Sequence, residues 1–306
     1  MISFRYHLVS LIGIFLAIAL GIVIGTTALN GAVLGDLRRQ VSDLKQADSA
    51  AAAQNRALRA QAGSADLLAQ SFGAKIAAGA LAKKPVVLVG APGASKSLRQ
   101  AIASAITTAG GSVSGQIQLA KAFTDPRRAA DIQSLVTSGA HPLGLQLPTT
   151  DNPGLLAGAA LGYVLLGHGQ GTDLTQVLAG FGTLNMLKVD GSAIAPGAAV
   201  VLIAPGGLPK NDEGGAMLLA MATELGTLGG PTVIAGDAAA ANGGGLVGLV
   251  RADNAAQKSV STVDDAGTPL GQLTVALTVA DTIGGHKGAD YGTANGAEAL
   301  LPGAAG

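Results

Sequence analysis

The sequence predicts an α/β protein in which a single N-terminal transmembrane helix and a coiled-coil stalk precede an open, doubly wound domain with a mostly parallel sheet. Three observations predict it: an uncharged apolar run opens the chain, a four-three spacing of apolar residues follows, and apolar β-branched runs then alternate with helical segments. The predicted divisions are a cytoplasmic tail, a transmembrane helix, a coiled-coil stalk and an extracytoplasmic α/β domain, at residues 1–7, 8–29, 30–82 and 83–306.

Composition excludes several classes of function. The chain has 306 residues and a formal net charge of zero, so charge alone suggests no nucleic-acid partner. It contains no Cys, which excludes disulfides, thiolate nucleophiles and thiolate metal sites together. Aromatic residues make up only 3% of the chain, so the core must be built from Ala, Val, Leu and Ile.

The N-terminal run has the length and composition of a membrane span. No charged residue lies between His7 and Asp36, and the segment from Leu8 to Ile24 is apolar. At 1.5 Å per residue, this segment with residues 25–29 crosses a hydrocarbon core of ~30 Å. A short N-terminal tail is easily retained in the cytoplasm, which predicts a single-pass protein of the bacterial cell envelope with its domain outside. A signal peptide cleaved near Thr26–Ala28 is the alternative, although the apolar run is longer than the apolar region of a usual signal peptide.

The next segment carries a heptad-type seam. Its members are spaced alternately four and three residues apart, and polar or charged residues fill most of the positions between them. The predicted seam residues are Leu34, Leu37, Val41, Leu44, Asp48, Ala51, Asn55 and Leu58. The pattern predicts a homo- or hetero-oligomer formed through the stalk, with the two polar seam residues able to set register. A long helix packed on its own domain is the alternative, and Gly63 is a candidate interruption.

The rest of the chain reads as βαβ units. The first run, Val86–Val89, is wholly apolar and predicts a strand buried on both faces. The predicted strands are Val86–Val89, Ser112–Leu119, Ala199–Ala204, Thr232–Ala235 and Leu246–Val250. The predicted helices are Ser95–Thr108, Arg127–Ser138, Pro153–Leu166, Asp173–Phe181, Glu213–Leu225 and Pro269–Thr282. Their alternation predicts a Rossmann-like, mostly parallel sheet.

One loop approaches a phosphate-binding pattern. Residues 90–97 follow a predicted strand, open a helix, and match G-x-x-x-x-G-K-[ST] except at Ser95, where glycine is required. Such a site also needs an Asp at the end of a strand to bind magnesium, and Asp237 is the sole candidate that closely follows a predicted strand. A helix capped by Ser95 explains the same residues, and it is the favoured interpretation.

Candidate donors for a metal are few and scattered. Copper would require Cys, Met or His clusters, and the main candidates are Met186, Met217, Met221, His7, His141, His168 and His286. Met217 and Met221 alone have helical i, i+4 spacing, which is typical of core filling. His168 lies in a Gly-rich loop near Asp173. This placement permits an acid/base or metal-binding role for the imidazole, but it is equally typical of an ordinary surface loop. No catalytic arrangement is recognisable, so the sequence predicts no enzyme and no evident cofactor.

The C-terminal segment predicts the last layer of the domain. Val260 and Val263 have the pattern of sheet residues, and an apolar stripe that includes Leu273 predicts a helix covering the sheet. Between them, Asp264 and Asp265 are interpreted as a solvated turn or a helix cap, with cation binding as the alternative.

The two ends of the chain resemble a known family. The opening residues 1–26, the stalk, and the stretch from Val260 through Asp264, Asp265, Gly271 and Gln272 to Asp290, Tyr291 and Gly292 resemble the actinobacterial copper-transporter family typified by mycobacterial MctB. The resemblance covers the whole chain, and its ends are more specific than its Ala- and Gly-rich middle. It implies an actinobacterial envelope protein that exports copper or maintains copper homeostasis, with copper as the transported ion.

The same resemblance implies a rival role. The family includes SteB-like proteins, whose stalk pairs with a SteA-like membrane partner in septal cell separation. A pore requires a closed barrel or several spanning helices, whereas the sequence predicts one span, so the physical argument favours this non-enzymatic partner role. Copper transport is nevertheless the first expectation, because it is the role the resemblance implies most directly.

Overall fold

The structure is a computed structural model that describes residues 4–139, 141–191, 194–209, 212–228 and 230–303; the side chains of residues 4–5, 27–34 and 139 lie outside the description. The chain divides into two compact units, Met1–Ser64 and Ala65–Gly306. The dividing point falls inside the predicted stalk. The predicted boundary between residues 82 and 83 stays a prediction.

The first helix, α1, spans Phe4–Ile76. Within the described residues, one helical stretch is long and apolar enough to cross a membrane, Tyr6–Thr26, and none of it is buried. The helix continues through Gly63, because the Ala, Leu, Arg and Gln residues around it are strong helix formers that offset a cost of about 1 kcal/mol. It ends at Ile76, before the predicted limit of the stalk.

A seven-stranded sheet forms the centre of the second unit in the part of the chain that the structure describes. Its strands are β1 Pro85–Gly90, β2 Ser112–Leu119, β3 Leu187–Asp190, β4 Ala199–Ile203, β5 Thr232–Ala235, β6 Ser261–Val263 and β7 Asp290–Tyr291. Their order is β3-β2-β1-β4-β5-β6-β7, and every pair is parallel except β2 with β3. The predicted mostly parallel sheet is therefore confirmed.

Helices cover both faces of this sheet. They are α2 Lys96–Thr108, α3 Ala129–Ser134, α4 Pro153–Leu165, α5 Asp173–Thr183, α6 Glu213–Thr227, α7 Leu246–Ala252 and α8 Pro269–Ile283. Side chains alternate along β1, so that Val87 and Val89 join a core with α4 to α7, whereas Val86 and Leu88 join a second core with α2 and α8. Two cores on opposite faces of one open sheet confirm the doubly wound class.

Two secondary-structure predictions require correction, and two strands were not predicted. The predicted strand Leu246–Val250 is wrong, because these residues begin helix α7; buried Leu246, Val247 and Val250 share one helical face, and a short apolar run does not distinguish the two states. The predicted helix Arg127–Ser138 comprises a 3₁₀ turn, the short helix α3 and a π turn. Strands β3 and β7 were not predicted, since both are too short to show a period.

The predicted N-terminal cap of α2 and the predicted C-terminal layer are confirmed. Ser95 has extended backbone geometry, and its hydroxyl accepts a hydrogen bond from Leu98 N at 3.3 Å. Helix α8 covers the sheet, with Leu273, Val275 and Val279 buried in the second core.

Candidate functional site: a buried carboxylate cluster

Charged side chains are buried at the carboxyl end of strands β6 and β7. Asp264 and Asp290 have no solvent exposure, and the side chain of Arg251, from α7, is only 5% exposed. The interpretation of Asp264 and Asp265 as a solvated turn is therefore wrong. The carboxyl ends of neighbouring parallel strands meet α7 here. The buried guanidinium stabilises the carboxylates in place of the water that would hydrate them in a solvated turn.

Arg251 holds the cluster together. Its Nη1 donates to Asp264 Oδ2 at 2.8 Å, its Nε donates to Thr262 Oγ1 at 2.9 Å, and its Nη2 donates to the Tyr291 carbonyl at 2.9 Å. Its Nε also lies 3.5 Å from Asp290 Oδ1. One side chain thus ties α7 to both strands at the edge of the sheet.

Asp264 is satisfied by donors on both sides. Besides Arg251, its Oδ1 accepts the backbone N–H groups of Thr293 at 2.8 Å and Ala294 at 3.1 Å. The preceding residue must be glycine: Gly292 has a φ of +129°, and a Cβ there would lie 2.3 Å from Asp264 Oδ1. The chain turn after β7 is therefore shaped around this carboxylate.

Asp290 and Asp265 are less well satisfied. Thr262 Oγ1 donates to Asp290 Oδ1 at 2.6 Å, but among the described residues Asp290 Oδ2 and Asp265 Oδ1 have no hydrogen-bond partner. Burial, followed by the neighbouring charge of Asp264, raises the pKa of Asp265 from 3.8 to about 6. Asp66, on α1, raises it further, and Asp66 Oδ1 also accepts the N–H of Leu270 in the first turn of α8 at 3.3 Å.

A second polar group adjoins the cluster. Tyr291 Oη donates to Asp281 Oδ2 at 3.2 Å, and burial together with the charge of Asp281 raises the pKa of Tyr291 to about 12. The other oxygen of Asp281 lies 2.9 Å from Nδ1 of the exposed His286. Tyr291 therefore remains a neutral hydrogen-bond donor at physiological pH.

These contacts make the cluster a clamp that also responds to protons. It fixes the last two strands and α7 through one guanidinium, and it holds a carboxyl group whose charge changes near pH 6. The described residues contain no group of three or more His, Asp or Glu side chains arranged to hold a metal ion.

The candidate copper donors lie apart. Met186, Met217 and Met221 are buried in the first core, and the predicted assignment of Met217 and Met221 to core packing is confirmed. The four His side chains are exposed, and His168 contacts the ring of Tyr163 at a centroid distance of 6.0 Å. The neighbouring Asp173 instead accepts the N–H of Gln170, so the structure does not join it to His168.

Ser95 and Asp237, the two residues weighed for a phosphate-type site, bind local backbone groups. Ser95 caps α2, and Asp237 Oδ1 accepts the N–H groups of Ala239 and Ala240 at 3.0 and 3.1 Å. Both side chains therefore have local backbone roles.

The structure places the seam residues on helix α1. Leu37, Val41, Leu44, Asp48, Ala51, Asn55 and Leu58 have exposed side chains, whereas that of Leu34 lies outside the described residues. Asn55 Nδ2 donates to the Ala51 carbonyl in the preceding turn. Further along α1, Ala69 is buried in the second core, whereas Phe72 and Ile76 are exposed. Pairing with another helix stays a prediction.

Sequence reasoning missed Arg251 and underestimated the two carboxylates. Arg251 directly follows the predicted strand Leu246–Val250, and no local pattern assigns it a role. A signal was present, because Asp264, Asp290, Tyr291 and Gly292 belong to the stretch that carried the family resemblance. The structure brings Asp264, Asp290 and Tyr291 together around the Arg251 guanidinium, with Gly292 against Asp264.

The comparisons with known proteins cover nearly the whole chain. The family model described as "Copper transport outer membrane protein, MctB" matches residues 1–302. The chain is 32% identical over 308 residues to the copper transporter MctB of Mycobacterium tuberculosis, covering 97% of this chain and 98% of the relative, and the same values hold for that of Mycobacterium bovis. It is 30% identical over 314 residues to the copper transporter MctB of Mycobacterium leprae, covering 98% of this chain and 99% of the relative.

Proposed function

The chain belongs to the MctB family, and we propose that it takes part in copper transport at the bacterial cell envelope and lowers the copper content of the cell. The observation that carries the proposal is the length of the match. The family model begins at residue 1 and ends at residue 302, so it includes both the apolar N-terminal helix and the α/β domain. The role is therefore assigned to the whole chain.

Membrane attachment is part of the same proposal. The stretch Tyr6–Thr26 has 21 residues, enough at 1.5 Å per residue to cross a hydrocarbon core of ~30 Å. A signal sequence near an N-terminus has similar length and composition, so retention of this helix is proposed together with the function. In this scheme the chain crosses the membrane once, and the α/β domain lies outside the cytoplasm.

The domain itself is proposed to work without a resident cofactor and without enzymatic activity. Thioether sulfurs are suitable ligands for Cu(I), but Met217 and Met221 face the first core, where Leu218 and Leu225 are also buried. A copper ion would have to enter that core to reach them. Copper is therefore treated as the transported ion, and none of the described Met residues is assigned to its passage. The relatives' names give no support to a septal cell-separation role, which is not proposed.

Expression of the chain in a mycobacterial strain lacking its own MctB should lower cell-associated copper at a fixed copper concentration in the medium. Mass spectrometry of washed cells measures copper, with zinc as the internal comparison. The nearly volume-conserving variant Met217→Leu with Met221→Leu should lower copper equally well, because those side chains fill the core. A form in which a cleavable signal peptide replaces residues 1–26 should fail. Copper unchanged by the full chain would contradict the proposed function, and loss of the effect in the methionine variant would assign the thioethers to copper.

Topology can be tested separately. A reporter enzyme that is active only outside the cytoplasm, fused after Gly306, should be active when the fusion carries the native N-terminal helix. A second fusion, to a reporter that is active only in the cytoplasm, provides the matched control and should be silent. Activity of the cytoplasmic reporter would contradict the proposed orientation.

A further inference from the structure

Polar side chains cover one end of the sheet where an α/β domain usually buries apolar ones. On α2, Lys96, Arg99 and Gln100 share one helical face, since residues three and four apart are neighbours on a helix. On the adjoining strands, the antiparallel register places Gln116 opposite Asp190 and Gln118 opposite Lys188. Residues two apart on a strand point to the same face, so these four side chains form one polar surface beside the helix.

The helix and the two strands line a cavity that is open to solvent, here called the glutamine cavity, of about 530 Å³. This volume lies within the usual range for small-molecule sites. The lining residues are Lys96, Arg99, Gln100, Gln116, Gln118, Lys188 and Asp190. These seven side chains include no aromatic and no aliphatic residue, so the cavity suits a hydrophilic ligand and offers no surface on which a nucleobase would stack.

One wall of the glutamine cavity is held rigidly. Arg99 is buried, and its guanidinium pairs with Asp190 Oδ2 at 2.6 Å and donates to Gln118 Oε1 at 3.0 Å. Gln118 Nε2 in turn donates to the carbonyls of Gly90 and Ala91 at 3.2 and 2.9 Å. The Nε of Arg99, also buried, has no hydrogen-bond partner among the described residues, so the site retains an unused donor.

The charges of the cavity favour an anion. Asp190 neutralises Arg99, whereas Lys96 and Lys188 have exposed side chains and make no ion pair in the part of the chain that the structure describes. Two ammonium groups thus remain beside the amides of Gln100 and Gln116, while the amide of Gln118 is engaged with Arg99, Gly90 and Ala91. Ammonium groups bind phosphate as point charges, and amides both donate to and accept from hydroxyl groups.

We propose that the glutamine cavity binds a small phosphorylated polyol, of the sugar phosphate class. The phosphate would be bound by Lys96 and Lys188, and the hydroxyl groups by the amides of Gln100 and Gln116. This site differs from a phosphate loop, in which the backbone of residues 90–95 would surround the phosphate. Here the carbonyls of Gly90 and Ala91 accept hydrogen bonds from Gln118, and the ligand lies along the exposed face of α2.

The full chain in detergent micelles, titrated calorimetrically with glucose 6-phosphate, glucose and inorganic phosphate, tests the proposal. Glucose 6-phosphate should bind saturably and more tightly than inorganic phosphate, and glucose should not bind measurably. Lys96→Gln with Lys188→Gln should weaken binding by about tenfold or more, because each charged hydrogen bond contributes to affinity. Lys84→Gln is the matched control, because it removes a positive charge from an exposed residue at the amino end of β1, whereas the cavity lies at the carboxyl end. This variant should bind glucose 6-phosphate as the native chain does.

A second variant separates recognition of the polyol from recognition of the anion. Gln116→Leu should reduce the affinity for glucose 6-phosphate toward that for inorganic phosphate while leaving phosphate binding unchanged. The absence of saturable binding, or equal affinity in the double lysine variant and in Lys84→Gln, would overturn the site. Equal affinity of the native chain for the two phosphates would overturn the assignment of the polyol.

Discussion

Replacing Arg251 by methionine should destabilise the α/β domain by about 3–5 kcal/mol, because it leaves a fully buried carboxylate without its cation. Asp264 has no solvent exposure, and Arg251 Nη1 lies 2.8 Å from its Oδ2. The backbone donors Thr293 and Ala294 would remain, but they are neutral. The substitution also removes the donors to Thr262 and to the Tyr291 carbonyl.

The measurement should follow the domain and not the long helix. Pulse proteolysis of the full chain in detergent, over a series of urea concentrations, reports the fraction of domain that is open at each concentration. Arg127→Met is the matched control: Arg127 also pairs with a carboxylate at 2.8 Å, but its side chain is 89% exposed, so little or no change is expected. Equal urea midpoints for Arg251→Met and Arg127→Met would contradict the prediction that Arg251 stabilises the domain through its buried contacts.

A double-mutant cycle isolates the interaction. Asp264→Asn alone should also destabilise the domain, because it leaves the buried guanidinium partly unpaired. Arg251→Met combined with Asp264→Asn removes both charges together, and it should cost less than the two single substitutions added. Simple additivity would mean that the two side chains stabilise the domain independently.

The general architecture could be predicted because its signals are local. Strand β2 and helix α2 have a clear composition, a clear length, and in the case of Ser95 a recognisable cap, and the structure places them within one residue of prediction. Leu246–Val250 failed because five apolar residues satisfy either period; the choice is made by tertiary contacts, which place α7 against the first core.

The candidate site was harder to predict because its parts are distant in sequence. Asp264 is joined to a guanidinium 13 residues earlier and to backbone donors 29 and 30 residues later. Two adjacent carboxylates beside a glycine are more often solvated, so no local pattern distinguishes this pair. The glutamine cavity was missed for a related reason. One of its walls is β3, an antiparallel edge strand of four residues, and only the pairing of β3 with the distant strand β2 brings the lining residues together.

Asp265 should make the stability of the domain depend on pH in a defined direction. Burial and the charge of Asp264 are the main reasons that the pKa of Asp265 rises from 3.8 to about 6. The charged groups that face Asp265 are Asp264, Asp66 and Arg251. The folded state therefore binds the proton more tightly than the unfolded chain does. The resulting stabilisation is complete below pH 3.8, declines as pH rises, and is lost above pH 6. The full difference is about 3 kcal/mol.

Asp265→Asn should consequently stabilise the domain at pH 7.5 by roughly 2–3 kcal/mol, because the neutral amide removes the buried charge. The same variant should abolish the decline in stability that Asp265 contributes between pH 4 and pH 6, for which the urea midpoint from pulse proteolysis at each pH is the measurement. Asp151→Asn, at an exposed carboxylate, provides the control and should keep the pH profile of the native chain. If Asp265→Asn were less stable than the native chain at pH 7.5 and retained its pH profile, the carboxylate would have to be stabilised in its ionised form. That result would contradict the observed burial of Asp265 and the lack of a hydrogen-bond partner for its Oδ1 among the described residues.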